Sequence, residues 1–230
     1  MDDKTRQSAE FDQFADNYDQ LHARNIRSTG EAPEYFAEYK VRCLERLGVE
    51  RDAEVLDYGC GVGNLTRALV SRFARVHGFD PSSACVDRAA AQVPLATFHR
   101  HEEAIPSGVF DAIVVANVLH HVVPARRAGL VESLAPRLKP GGRLFVFEHN
   151  PYNPLTRRAV STCEFDTDAI LLGPREVRRL LQAASLDPVR QEYIVFFPHQ
   201  LAGLRFLEPR LSWLPLGAQT LTVGTHPGTD

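Results

Sequence analysis

The spacing of apolar residues changes several times along this chain. Phe11, Phe14, Ala15, Tyr18 and Leu21 recur every three or four positions, which predicts an opening amphipathic helix. A second helix is expected over about residues 33–47, stopped at Gly48. Residues 54–58, 75–79 and 95–99 then read as strands. Helices over 64–73 and up to Ala91 separate them, with Ser82 and Ser83 available to cap the second. Residues 111–117 form an unbroken β-branched run, as expected of a strand covered on both faces. A helix over 124–138, broken by Pro140-Gly141-Gly142, leads into a strand over 143–148. A helix over 174–184 and strands over 193–197 and 219–225 complete the pattern.

Strands separated by helices imply parallel crossovers with helices on both faces. The expectation is an α/β, doubly wound, mostly parallel seven-stranded sheet, antiparallel at the edge formed by the last two strands. No repeat or low-complexity linker divides the 230 residues, so one domain over 1–230 is expected.

Composition narrows the classes. With 44% hydrophobic and 24% charged residues the chain can bury one sizeable core. A net charge of -3 argues against a surface that coats nucleic acid. Cys43, Cys60, Cys85 and Cys163 lack CxxC spacing, which speaks against a zinc site, a redox pair or a disulfide framework. Without a leader-like start, four reduced thiols in a cytoplasmic protein are expected. No stretch approaches the roughly 18–20 apolar residues of a membrane span.

The informative segment is Val55-Leu56-Asp57-Tyr58-Gly59-Cys60-Gly61-Val62-Gly63-Asn64. Alternate glycines let backbone approach a ligand closely, and the following helix offers free N–H groups. In an open parallel sheet ligands collect beyond the strands' carboxyl ends. A dinucleotide turn needs G-x-G-x-x-G, whereas this chain has G-x-G-x-G and Asn64 in the place of the last glycine. Asp57 would repel a pyrophosphate and suit a ligand carrying an ammonium and a sulfonium. Asp80, ending the next strand, is placed for ribose hydroxyls of either ligand.

These residues resemble the first two motifs of the class I S-adenosylmethionine-dependent methyltransferases. Phe110-Asp111-Ala112-Ile113-Val114 through Asn117-Val118-Leu119-His120-His121 resembles that family's fourth motif, and Leu138-Lys139-Pro140-Gly141-Gly142-Arg143-Leu144 the turn before its fifth strand. The likeness covers about residues 11–148. It implies S-adenosyl-L-methionine as cofactor, a helical lid over 1–50, a cofactor-binding core over 51–150, and acceptor-side elements with the C-terminal strands over 151–230. It places Asp57, Gly59, Cys60, Gly61 and Asn64 around the methionine part, Asp80 and Pro81 at the ribose, Asn117 beneath the methionine and Tyr18 over the cofactor. Either His101 or Glu102 takes the adenine position.

Methyl transfer is an in-line displacement in which the protein aligns the nucleophile and excludes water, with a base for an oxygen or nitrogen acceptor. His120, His121 and Glu148 are the candidate catalytic residues. Neighbours on an α-helix diverge by about 100°, so the two histidines are not expected to share a ligand. On a strand, Glu148 and Asn150 would face one side and His149 the other. His149, Asn150, Tyr152 and Arg157 are the candidate acceptor contacts, Arg157 with Arg158 suiting an anionic group. A metal on His120, Glu148 and His149 lacks the usual ligand spacing, and none is expected. The apolar residues between Phe196 and Leu216 read as a flap lining a pocket for a small, hydrophobic or anionic acceptor, with a homodimer surface or a membrane contact as alternatives. A non-catalytic S-adenosylmethionine-binding module and a nicotinamide-dependent oxidoreductase are the competing functions.

Overall fold

The computed structural model describes residues 29–163 and 166–228. The expected opening helix, with Tyr18, lies outside them. Helix α1 (Pro33–Arg46) starts on a proline, and Gly48 follows it in the left-handed region. Strand β1 (Glu54–Tyr58) feeds α2 (Asn64–Val70), and β2 (Arg75–Phe79) feeds α3 (Ser83–Gln92). The Ser82 side chain caps α3 by accepting from the Cys85 N–H. Strand β3 (Thr97–His99) is followed by β4 (Phe110–Ala116), α4 (Pro124–Leu134) and β5 (Leu138–His149). Helices α5 (Pro154–Ser161) and α6 (Pro174–Ala183) precede β6 (Asp187–Ile194), and the one-turn α7 (Glu208–Leu211) precedes β7 (Gln219–Thr225).

The seven strands form one sheet in the order β3-β2-β1-β4-β5-β7-β6. The first five run parallel, and β7 pairs antiparallel with both β5 and β6. The chain order reverses between β1 and β4, which opens a crevice at their carboxyl ends.

Alternation in the central strands builds two cores. Leu56, Ile113, Val115, Leu144 and Val146 face one side, against Val131 and Leu134 of α4 and Val177 and Leu181 of α6. Val55, Val114, Phe145 and Phe147 face the other, against Val41 and Leu44 of α1 and Leu69 of α2. Both faces of β4 are sealed, as its sequence demanded.

Several boundaries differ from expectation. Helix α4 stops at Leu134, and Ala135–Arg137 tightens into a 3-10 turn because Pro136 has no amide hydrogen to continue the ladder. Pro140-Gly141-Gly142, expected to end the helix before a strand at 143, lies inside β5. It bulges within β5, where pairing with β4 jumps from Phe110–Leu138 to Ala112–Arg143. Strand β6 covers 187–194 instead of 193–197. It is an edge strand with exposed polar side chains, and Val195, at φ 60°, ends it. The apolar residues after it are not a closed flap: Leu201, Leu204, Phe206, Trp213 and Leu216 are exposed. No described helix is long and apolar enough to cross a membrane.

A buried arginine fixes the elements beyond β4. Arg127 of α4 donates Nε to the carbonyls of Leu119 and Val122, both at 3.0 Å. Its terminal nitrogens reach Glu176 of α6 at 2.6 Å and the Ile170 carbonyl at 2.5 Å. Arg127→Ala leaves these carbonyls unmet and is expected to cost about 2–5 kcal/mol in urea unfolding; an unchanged midpoint would show that water replaces the guanidinium.

Candidate cofactor and acceptor site

The glycine turn follows β1. The amides of Gly59 and Cys60 both donate to the Phe79 carbonyl at the end of β2, at 2.7 and 2.9 Å. Gly59 sits at φ 80°, and a Cβ there would overlap the Val118 side chain, so only glycine lets the β1 turn close on the segment after β4. Gly63, at φ 88°, sits at the N-terminal end of α2, with Asn64 as the helix's first residue. The Gly61 N–H donates to Asp80 Oδ2 at 2.9 Å, and the Ser82 N–H to Asp80 Oδ1 at 2.9 Å. The two backbone donors orient the Asp80 carboxylate at the mouth of the turn. Pro81 beside it is exposed and Cys60 is buried.

Asp57 lies beneath the turn, 2% exposed. Its Oδ2 accepts from the Thr66 hydroxyl of α2 at 2.7 Å. Burial pushes its pKa up to about 7; Thr66 and the charge of Lys40 resist that shift, and the charge of Asp80 adds to it. Sequence reasoning passed over Lys40. It is buried on α1, its ammonium 5.8 Å from the centre of the Phe147 ring. Burial lowers its pKa to about 8, while Cys43, Asp57 and Glu148 pull it upward. The signal was in the pattern: Lys40 falls on the stripe made by Ala37, Val41 and Leu44, where a charge is out of place.

On the β4 side, Asn117 adopts φ 58°, and its N–H donates to the Phe147 carbonyl at 2.8 Å. Its side-chain Oδ1 is buried without a hydrogen-bond partner. Strained backbone and an unmet buried acceptor thus stand together where the strand order reverses. His101 is exposed, whereas Glu102 accepts from Ser133 Oγ at 3.0 Å and hydrogen-bonds Tyr58.

Past Asn117 the chain makes a 3-10 turn, Leu119–His121. His120 is 1% exposed, and its Nδ1 lies 2.6 Å from Glu148 Oε2 of β5. Glu148 Oε1 accepts from the Leu119 N–H at 2.8 Å. The two histidines were expected to diverge. Instead their rings lie 4.2 Å apart, and both Nε2 atoms stand 3.4 Å from one oxygen of Asp166. The 3-10 turn does not account for this, since its neighbours diverge by about 120°; both rings turn toward Asp166, which reaches them from between α5 and α6. Asp166, 4% exposed, had no signal of its own in the sequence.

Strand alternation does not separate Glu148 from His149 here, because the His149 ring also lies 5.1 Å from that of His120. Burial alone would lower the His120 pKa, but the Glu148 and Asp166 carboxylates raise it to about 9. Burial and the neighbouring His120 charge lower His121 to about 3 and His149 to about 4. The turn and the end of β5 thus set three imidazoles beside two carboxylates.

Asn150 is turned away from this cluster. Its amide donates to the carbonyls of Pro215 and Gly217, and its Oδ1 accepts from the Tyr152 N–H. Tyr152 and Arg157 are exposed. The structure thus gathers Asp57, Asp80, Asn117, His120, His121, Glu148 and His149 around one rim and leaves the other three acceptor candidates outside the cluster.

A family model for a methyltransferase domain matches residues 29–201. The chain belongs to that family. Its sheet has the class I, Rossmann-like methyltransferase fold. The magnesium protoporphyrin IX methyltransferase of Synechocystis, solved with bound S-adenosylhomocysteine, aligns with a TM-score of 0.70 at 17% identity, covering 98% of this chain and 100% of that one. A SAM-dependent methyltransferase from Archaeoglobus fulgidus gives 0.69 at 13% identity, covering 91% of this chain and 100% of that one. In sequence, the ubiquinone biosynthesis O-methyltransferase of Sodalis glossinidius is 28% identical over 167 residues, 66% of each chain. An uncharacterized methyltransferase of Synechocystis is 34% identical over 114 residues, 48% of this chain and 54% of the relative. This methyltransferase-family chain spans between about half and two thirds of the length of those curated relatives.

The buried Asp57 carboxyl makes stability pH-dependent. The unfolded group ionises near 3.8 and the folded one near 7, so stability falls as pH rises between those values. Asp57→Asn removes that loss. Its melting temperature in the free chain is expected to match wild type near pH 4, to exceed it increasingly up to about pH 7, and then to hold a constant margin. Parallel curves across that range would place an ionised Asp57 in the folded chain throughout.

Proposed function

We propose that this chain transfers the methyl group of S-adenosylmethionine to an oxygen or nitrogen of a small molecule. The observation that carries the reading is the buried Asp57 carboxylate behind the glycine turn, with the unmet Asn117 oxygen just past the end of the neighbouring strand. A diphosphate would meet repulsion there; a ligand with an ammonium and a sulfonium would meet charge and acceptors of the right sign. Asp80 takes the ribose hydroxyls, with Pro81 beside it. Gly59, Cys60, Gly61 and Asn64 line the methionine part, Glu102 or His101 the adenine, and Tyr18 covers the cofactor. The name of the relative from Sodalis supports an oxygen acceptor. The acceptor binds on the side of His120, His121 and Glu148. Glu148 fixes His120, and the proton lost by the acceptor leaves on that side. His149 stands beside His120, and the exposed Tyr152 and Arg157 extend the surface beyond it.

Calorimetry with S-adenosylmethionine and with NAD, followed by labelled methyl transfer into fractions of small-molecule extract, tests the reading. S-adenosylmethionine is expected to bind and NAD not to. NAD binding alone would overturn the proposal, and cofactor binding without transfer to any fraction would reduce the chain to a binding module. Asp80→Ala is expected to weaken cofactor binding by about 1–3 kcal/mol, the scale of leaving polar partners unmet.

Proton linkage adds a finer mark. A cationic ligand favours ionised Asp57, so affinity is expected to rise with pH up to about 7, with proton release seen by calorimetry in buffers of different ionisation enthalpy. A flat profile without proton release would remove Asp57 from the cofactor's surroundings.

A further inference from the structure

We propose that His120 Nε2, His121 Nε2 and Asp166 Oδ1 form a binding site for one divalent transition-metal ion. One candidate ligand atom from each of these three residues lies within 4.8 Å of the other two. Each imidazole nitrogen is 3.4 Å from the same carboxylate oxygen. Charge-assisted N–H···O bonds are shorter, about 2.7–2.9 Å. A tetrahedral ion with bonds of about 2.0–2.2 Å spaces its ligand atoms roughly 3.4 Å apart along each edge. The observed separations are thus long for hydrogen bonds and suited to shared ligation.

His120 Nε2 is buried and, with only the long Asp166 contact before it, makes no regular hydrogen bond among the described residues, although the other ring nitrogen has a short one. Glu148 receives Nδ1 at 2.6 Å and is itself held by the Leu119 N–H. A carboxylate behind one nitrogen fixes the tautomer and presents the other nitrogen to an ion, and raises its basicity. The ligands come from two distant segments, the turn after β4 and the stretch between α5 and α6. Spacing along the chain therefore could not announce them.

Two imidazoles and one carboxylate suit zinc, cobalt or ferrous iron better than magnesium or calcium, which favour all-oxygen sites. Three protein ligands leave a fourth position. His121 is the partly exposed member of the set. The proposal does not rest on methyl transfer, and its test needs no cofactor.

Tag-free protein stripped with chelator is titrated with zinc in a calorimeter, and a second sample is loaded with cobalt. One zinc per chain is expected, and the visible bands of four-coordinate cobalt. Asp166→Asn and His121→Ala are each expected to lower zinc affinity by about tenfold or more and to alter the cobalt bands. Glu148→Gln is expected to weaken binding by about 10–100-fold, as for partners behind a ligating histidine. Asp168→Asn, exposed and outside the set, is expected to bind as wild type does. Wild-type protein that takes up no zinc at micromolar ion would overturn the proposal. So would Asp166→Asn and His121→Ala that both bind as tightly as wild type, which would place the ion elsewhere, on a cysteine for instance.

Discussion

Charge taken out of water at one rim of the sheet is the constraint on which the rest depends. Lys40, Asp57, His120, Glu148 and Asp166 are all buried there. An isolated buried ion costs several kcal/mol, so each must be met by a partner held in place. Thr66 meets Asp57, and the Leu119 N–H and His120 meet Glu148. Those partners stand still because the two apolar faces beneath them are sealed. Leu56, Ile113 and Leu144 close one face, and Val55, Val114 and Phe145 the other. The core fixes the strand ends, and the strand ends fix the charges.

In the function proposed here Asp57 lies on the cofactor side and Glu148 on the acceptor side, and Lys40 feels both. A positive ligand beside Asp57 changes the field at Lys40 and through it the field at Glu148. Backbone carries the geometry between the two halves. Gly59 lets the first turn touch Val118, and Asn117, one residue earlier, is held at φ 58° by its bond to Phe147. Strain of this kind persists only where surrounding structure over-determines it.

What the sequence could disclose was local. The run over β4, the last strand, the serine cap at Ser82 and the turn with Asp57 and Asp80 all depend on residues close in the chain, and each took its expected form. The remainder depended on partners far away. Asp166 meets His120 across 46 positions, and nothing near it in sequence signals a site. The shared oxygen at His120 and His121 is supplied by Asp166 from that distant stretch, which no spacing within the turn discloses. Strand β6 was misplaced because one exposed edge relaxes the apolar alternation. Lys40 alone was both visible and passed over, a charge on an apolar stripe.

The central claim is that the crevice between the glycine turn and Asn117 is shaped for a sulfur cofactor. A crystal structure grown with S-adenosylhomocysteine tests it most directly. The account requires the ribose hydroxyls on the Asp80 carboxylate and a donor from the amino-acid end on the Asn117 side-chain oxygen. Density for the compound outside that crevice, or an Asn117 oxygen still without a partner beside the bound compound, would contradict it.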